Sequence, residues 1–226
     1  KSGRSDVQPL REKAARAPHE FCFPLRYEDE EVLRRAMAAN PQDARAPYYL
    51  GNLLYDNQPA QALEAWLRAR DLDNLFPPVH RNLGIAFAAV EKDFYKAAYI
   101  MERAVRLNPN DPQWFYELDT YYEAAGSAPS KRLDLLRKHH EVVSRRPEAL
   151  RREIALLTVQ GQHDRAIELL RKHRFRNWEG NREIHRIYVD ALLQRGQVRL
   201  RENQPVAARK DFEAALEYPE NPAVGE

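Results

Sequence analysis

The chain has 226 residues, of which 43% are hydrophobic and 31% charged, and its 36 basic and 34 acidic residues leave a net charge of +2. This composition excludes a disordered chain, and the near-neutral charge predicts neither a nucleic-acid partner nor an acidic, halophile-like surface. No apolar run approaches the roughly 20 residues that span a membrane, so no membrane partner is expected. The single cysteine, Cys22, cannot form an internal disulfide, which favours a cytoplasmic location. Because the chain begins with Lys1 rather than methionine, we expect it to be part of a longer protein.

Residue usage predicts an all-α fold. Five serines and two threonines stand against many alanines, leucines, arginines and glutamates, which have high helix propensity. Valines and isoleucines occur singly within patterns of period 3.6, whereas a half-buried strand would alternate them with polar residues. We therefore expect helices throughout the chain.

The amino-terminal part of the chain shows no repeat, and residues 1–24 are expected to form an extended leader. Its His19 and Cys22 have the spacing of half a zinc site, but no second pair accompanies them, so no metal ligand is predicted. Residues 30–41 then predict one leading helix, which ends at Asn40 and Pro41.

Two stretches of the chain repeat each other. Residues 49–55, Tyr-Leu-Gly-Asn-Leu-Leu-Tyr, are echoed by residues 82–87, Asn-Leu-Gly-Ile-Ala-Phe, and an alanine-led segment follows each, at 62–69 and 97–104. A Leu-Gly pair on a first helix lets a second helix approach closely, because glycine has no side chain at the crossing. The pattern therefore predicts two antiparallel helix pairs.

The offset from Leu50 to Leu83 is 33 residues and that from Ala69 to Ala104 is 35, which brackets the period of about 34 found in tetratricopeptide repeats. The stretch from 44 to 109 thus resembles the tetratricopeptide repeat family. That resemblance implies a right-handed α-solenoid of helix-turn-helix repeats.

Three less regular helix pairs are predicted downstream, and Asp119 stands where the first helix of the third pair would carry glycine, so we expect looser packing there. With the leading helix, residues 25–226 would form one superhelix of about five pairs. The predicted later helices are 114–122 with a partner that begins near 133, 148–159 with 163–173, and 182–203 with 208–216.

Four further segments are similar to the carboxy-terminal repeat region of large bacterial proteins in which a β-sandwich domain of uncharacterised function precedes the repeats. The segments are 21–24, 48–56, 177–180 and 216–222. This resemblance implies no activity.

No catalytic signature was found in the sequence, which contains no phosphate-binding glycine loop, no nucleophile elbow, no His-Glu-x-x-His helix and no Cys-x-x-Cys pair. We therefore predict that the chain is not an enzyme and has no cofactor. Adjacent His139 and His140 would point to different sides of a helix. Trp178, in the insert 175–182, is expected to fill the gap between the fourth and fifth pairs, with an aromatic ligand anchor as the alternative.

The resemblance implies that the first helices line a concave binding groove. Compared with chaperone-binding members, only Asn52 of their carboxylate-binding residues is retained, so a chaperone tail is not predicted. Packing between helices is the alternative role for the tyrosines. The predicted groove residues are Arg45, Tyr48, Asn52, Tyr55, Arg81, Ile85, Tyr116, Thr120 and Glu123.

The sequence thus predicts a protein-interaction scaffold that binds a protein, a peptide or a neighbouring domain, with self-association as a further possibility. The alternative is an accessory repeat region of a carbohydrate-active bacterial enzyme, by analogy with the upstream sandwich. Residues 131–210 carry a net charge of +10 and the remainder −8, so an acidic partner or an exposed, solvated helix face would also explain the charge pattern.

Overall fold

The structure is a computed structural model that describes residues 7–16, 24–175 and 183–217. These residues form thirteen α-helices and one π-helical turn, and no strand occurs among them. This confirms the predicted all-α fold class. The chain divides into two compact units, unit 1 over Lys1–Asn108 and unit 2 over Pro109–Glu226. One superhelix over 25–226 stays a prediction.

Unit 1 contains a leading helix and two antiparallel helix pairs, as the repeated stretches predict. Pro59 and Pro77 stand at the first positions of helices, where their missing N–H groups cost nothing. Helix α2 packs against α3, α3 pairs with α4, and α5 pairs with α6. The helices are α1 (Val7–Ala15), α2 (Tyr27–Ala39), α3 (Arg45–Leu54), α4 (Pro59–Leu72), α5 (Pro77–Ala86) and α6 (Phe94–Leu107).

Helix α1 lies within the segment for which an extended leader was predicted. Its sequence contains Leu-Arg-Glu-Lys-Ala-Ala, all strong helix formers, and Pro9 falls in the first turn, where proline is tolerated. The absence of a repeat pattern therefore did not imply an extended backbone at residues 7–15. His19 and Cys22 lie outside the described residues.

The first helix pair crosses at Gly51, directly beneath the indole of Trp66. A Cβ atom at Gly51 would lie 2.5 Å from Cδ1 of Trp66, well inside van der Waals contact. The Nε1–H of Trp66 donates to the carbonyl oxygen of Tyr48 (3.2 Å) and to Oδ1 of Asn52 (3.1 Å). Trp66 is thus fixed by shape and by hydrogen bonds to the helix that it covers.

The second pair crosses less tightly at Gly84. A Cβ atom there would be 3.4 Å from the carbonyl oxygen of Ala97 and 3.5 Å from Cβ of Met101, which is ordinary contact. The two Leu-Gly pairs therefore differ in how much room they leave, because the opposing side chain is an indole in one case and small or flexible in the other.

The π-helical turn, Phe87–Glu91, explains why the two offsets between the repeats differ by two residues. The extra residues fall between the two helices of the second pair, where the turn widens the end of α5. Lys92 then adopts a left-handed conformation (φ 56°) and closes the turn. Asp93 caps α6, its Oδ1 accepting from the backbone N–H of Lys96 at 2.9 Å.

His80 is 1% exposed in the core of unit 1. Its Nε2 lies 2.9 Å from the carbonyl oxygen of Asn74, and because a carbonyl can only accept, Nε2 carries the proton. Nδ1 is buried and has no hydrogen-bond partner among the described residues. Burial, reinforced by Arg103 and Arg70, lowers the pKa of His80 below its ordinary value.

Unit 2 matches the predicted later pairs, with one additional break. The chain turns at His139, which separates α8 from the single turn α9. In the last pair a Cβ atom at Gly196 would lie 2.8 Å from Cζ of Phe212, a close crossing like that of Gly51. Trp178 lies outside the described residues. The helices are α7 (Pro112–Ala124), α8 (Pro129–Lys138), α9 (His140–Val143), α10 (Pro147–Val159), α11 (His163–Lys172), α12 (Glu183–Arg201) and α13 (Pro205–Leu216).

The two Leu-Gly crossings give a matched pair of substitutions. Gly51→Ala should lower the free energy of unfolding by about 1–3 kcal/mol, because the methyl group overpacks against Trp66. Gly84→Ala should be neutral or raise it by up to about 1 kcal/mol, because alanine favours the helix and the methyl group fits. Urea denaturation followed by circular dichroism measures both, and equal effects would contradict the difference between the crossings.

His80 predicts a loss of stability in mild acid. Since its folded-state pKa is lowered, its contribution is complete above the unfolded value of about 6.5 and declines as the pH falls below it, by at most about 1.4 kcal/mol per pH unit. His80→Gln should reduce the drop in urea midpoint between neutral and mildly acidic pH, although it lowers stability at neutral pH. An undiminished drop in this variant would assign the acid sensitivity to other groups.

Candidate functional site

The predicted groove residues all belong to first helices of pairs or to their ends. Unit 1 contributes six of them and unit 2 three. Arg45, Tyr48 and Asn52 lie on α3, Tyr55 follows it, Arg81 and Ile85 lie on α5, and Tyr116, Thr120 and Glu123 lie on α7.

The tyrosines of unit 1 pack against other rings. Tyr48 is 9% exposed, and its ring meets the edge of Phe76 with centroids 4.8 Å apart. The half-buried ring of Tyr55 lies 5.3 Å from that of Trp66. Burial, with a smaller effect of Asp56, raises the pKa of the Tyr55 hydroxyl. Interhelix packing, the alternative role considered for the tyrosines, accounts for the surroundings of both residues.

Asn52 has a fixed amide orientation. Its side chain lies 3.1 Å from Nε1 of Trp66 and 2.7 Å from Nδ2 of Asn82, and both of these atoms are donors. The atom between them must therefore be the acceptor Oδ1. The Nδ2 of Asn52 makes no hydrogen bond among the described residues and keeps both protons for another acceptor.

Arg45 lies two helical turns before Asn52 on the same side of α3. Its guanidinium stacks over Phe76, with Cζ 3.8 Å from the ring centroid. Nη1 is buried and has no hydrogen-bond partner among the described residues. On α5, Arg81 and Ile85 are half-buried. Unit 1 therefore places two half-buried donor groups, the guanidinium of Arg45 and the amide of Asn52, on one helix face.

In unit 2 the corresponding helix face contains a buried ion cluster, which we call the Asp119 cluster and which comprises Asp119, Arg132, Arg152 and Glu123. Asp119 is fully buried, and Arg132 donates to its two oxygens from Nε (2.9 Å) and Nη2 (3.0 Å). Arg152 also donates to Asp119. Glu123 accepts from Arg152 at 2.7 Å and pairs with Arg132 at 3.0 Å.

Charge within the Asp119 cluster is balanced by internal partners. Burial disfavours the charged forms of Arg132 and Arg152, but the hydrogen bonds to and charge of Asp119 outweigh it and raise the pKa of both guanidinium groups. Burial likewise opposes ionisation of Glu123, but Arg152 and Arg132 outweigh it and lower the pKa of this carboxyl. The glycine position of the third pair thus holds a fully buried carboxylate bound by two arginines, and α7 packs less extensively against α8 than the helices of the other pairs pack against each other.

The predicted groove residues of unit 2 are engaged by this cluster or by their own helix. The hydroxyl of Thr120 donates to the carbonyl oxygen of Tyr116 at 2.9 Å. The guanidinium carbon of Arg152 lies 5.7 Å from the ring centroid of Tyr116. A cleft of about 180 Å³ adjoins the cluster, and Arg151 and Glu183, which form an ion pair, complete its charged lining. Three guanidinium groups and two carboxylates line the cleft, and the buried Asp119 binds two of these guanidinium groups, so the cleft offers a ligand little net charge.

A second carboxylate clamp was missed by the sequence analysis. Asp211 is 2% exposed and accepts from Arg195 (2.6 and 3.1 Å) and Arg199 (2.8 Å), and Arg195 also bonds Asp164 at 2.6 Å. The available signal was an acidic residue on an otherwise apolar helix stripe, since a buried carboxylate needs cationic partners. The partners themselves, 12 and 16 residues away along the chain, are not apparent from periodicity.

Neither a metal site nor a membrane span emerges from the part of the chain that the structure describes. Within residues 7–16, 24–175 and 183–217, no three His, Cys, Asp or Glu side chains are grouped so that they could hold a metal ion. None of the helices in these ranges combines the length and apolar character that a membrane crossing requires.

Comparison with solved structures identifies the fold. YrrB, described as a TPR protein with an unusual peptide-binding site, is 20% identical over 83% of this chain and 92% of its own, with a TM-score of 0.59. PilF of Pseudomonas aeruginosa is 17% identical over 85% and 86%, with a TM-score of 0.53. No protein-family model matches the chain. The chain therefore has the tetratricopeptide-repeat fold, whereas the upstream β-sandwich stays a prediction.

The Asp119 cluster gives a matched test of buried and exposed charge. Asp119→Ala should lower the free energy of unfolding by about 3–5 kcal/mol, because it leaves two poorly exposed guanidinium groups without their buried partner. Glu123→Ala removes a carboxylate from the same two arginines, but Glu123 has a side chain that is 56% exposed. We expect its loss to cost about 1 kcal/mol or less. Urea denaturation compares the two, and a larger effect for Glu123→Ala would contradict the assignment of Asp119 as the central group.

Proposed function

We infer that the chain is a protein-interaction scaffold without catalytic activity of its own and that it binds an extended peptide along the first helices of unit 1. Helix pairs of this kind present side chains of successive first helices side by side. The peptide-binding site attributed to YrrB, a protein of the same fold, supports the class of ligand.

The observation that carries this proposal is the pair of half-buried donor side chains on α3. The guanidinium of Arg45 is held by stacking over Phe76, and Asn52 directs its Oδ1 to Trp66 and Asn82, which leaves its Nδ2 for another acceptor. Seven residues of helix separate them by roughly 10.5 Å. An extended peptide covers that distance in about three residues, so two of its carbonyl oxygens can face the two donors.

The neighbouring side chains suit a peptide backbone better than a single anion. Half-buried Tyr55 and Ile85 add apolar surface to the first helices of unit 1. Tyr48 is excluded from direct binding because its ring is buried against Phe76. A segment of another protein, of a neighbouring domain or of a second copy would present the same backbone acceptors.

The proposal is tested by selecting short peptides from a displayed random library with the purified chain and measuring the best binder by fluorescence anisotropy. Arg45→Gln combined with Asn52→Leu should weaken that peptide by about tenfold or more, since two hydrogen bonds of about 1 kcal/mol each are lost. A melting curve shows whether the variant remains folded.

Arg35→Gln combined with Asn57→Ala is the matched control, because it makes similar changes at exposed positions of unit 1. The control should retain the affinity of the wild-type chain. A selected peptide that binds both variants equally well would refute the site on α3. A library that yields no binder would refute the proposal of a peptide-binding groove.

A further inference from the structure

Unit 2 exposes a group of basic side chains where second helices end. These residues lie in the last turn of α8, just after α9, and in or just after the last turn of α11, and all of them are exposed. We call this group the basic edge. It consists of Arg137, Lys138, Arg145, Arg171, Lys172 and Arg174.

A buried glutamate brings these helix ends together. Both carboxylate oxygens of Glu153, on α10, lie within hydrogen-bond distance of Nδ1 of His140 (3.0 and 2.9 Å), two residues beyond Lys138. His173, between Lys172 and Arg174, is close enough to Glu153 for the charge of this carboxylate to act on it. The ends of α8 and α11 therefore flank the same residue of α10, which brings the chain segments that carry their basic side chains near one another.

The basic edge lacks the counterions that the corresponding ends of unit 1 possess. There, Arg70 at the end of α4 pairs with Asp71 at 2.7 Å, and Arg106 at the end of α6 pairs with Glu102 at 3.4 Å. No ion pair within 4.0 Å links any of the six basic-edge residues to a carboxylate of the described residues. Favourable interaction with a helix dipole explains one basic residue in a last turn. It does not explain Arg145 or Arg174, which lie beyond the helices.

Nearby acidic groups leave the surface positive. Glu148 is paired with Arg146 at 3.3 Å, and Glu168 with Arg165 at 2.7 Å. Asp134 and Glu141 remain as exposed carboxylates within a turn of the basic edge. Six basic residues against these two and the buried Glu153 leave an excess of three positive charges.

We propose that the basic edge binds an acidic segment of another polypeptide. The six side chains belong to three separate helix ends, so they suit a run of carboxylates rather than one small anion. A single-stranded nucleic acid would need aromatic side chains on which its bases could stack. The exposed tyrosines of the described residues, Tyr27, Tyr95 and Tyr99, all lie in unit 1. The proposal rests on residues of unit 2 alone and does not depend on the peptide site proposed for α3.

The test measures the anisotropy of a fluorescein-labelled oligoglutamate peptide, with an oligoglutamine peptide and a single-stranded oligothymidine of equal length as comparators. The edge variant carries Arg137→Gln, Lys138→Gln, Arg171→Gln and Lys172→Gln. The control variant loses the same charge at exposed residues that form no ion pair with a carboxylate of the described residues, by Arg68→Gln, Lys92→Gln, Arg201→Gln and Lys210→Gln. Melting curves should show both variants folded, because no substituted side chain is buried.

We expect the oligoglutamate to bind the wild-type chain, to lose affinity as salt rises, and to bind the edge variant about tenfold more weakly while the control variant changes less than about twofold. The variant with Arg45→Gln and Asn52→Leu should bind it normally, so failure of the α3 site and failure of the basic edge give different results. Equal losses in the edge and control variants, or no binding by the wild-type chain, would overturn the proposal. Tighter binding of oligothymidine at the basic edge would assign that surface to nucleic acid instead.

Discussion

The crossing between two paired helices leaves room for one large side chain. The packing of each helix pair in unit 1 depends on which side chain occupies that space. Trp66 occupies it in the first pair because Gly51 beneath it has no side chain. The same indole then donates to Tyr48 and Asn52, so a packing contact also orients a polar group on the neighbouring helix face. The donors proposed to bind peptide are thus positioned by the core, and their geometry depends on a glycine that no ligand would touch.

The third helix pair, in unit 2, has a charged residue at the position where the pairs of unit 1 have glycine. Asp119 takes the place of glycine on α7, and its second arginine partner, Arg152, comes from α10, so the carboxylate connects successive helix pairs. Asp211 similarly connects α13 with α12, and Arg195 extends the contact to Asp164 on α11. Buried ion pairs of this kind contribute little net stability but oppose shifts of one helix along another. Some of the basic residues in 131–210 therefore pair with the buried carboxylates of Asp119 and Asp211. Those of the basic edge are exposed and form no ion pair with a carboxylate of the described residues.

Periodicity was sufficient to predict the helix pairs, because the Leu-Gly and alanine-led segments determine which faces meet. It could not show that Gly51 and Gly84 differ, since the difference comes from the opposing side chain, Trp66 in one case and Ala97 with Met101 in the other. The burial of Tyr48 depends on Phe76 in a connection between helices, and the partners of Asp119 lie 13 and 33 residues away. Such contacts follow from how pairs stack, which a pattern within one helix does not describe.

The π-helical turn at Phe87–Glu91 lets the second repeat be longer than the first without changing which core residues of its two helices face each other. Two additional residues are absorbed between α5 and α6, so Met101 still meets Gly84 as its counterpart Trp66 meets Gly51 in the shorter repeat. A family of such chains can therefore gain or lose residues at this hairpin without repacking its helices. If insertions are confined to the hairpin tips, the tips become the most variable part of the sequence, while the residues at the helix crossings are retained. A search for related chains that required a strict repeat length would then miss some of them.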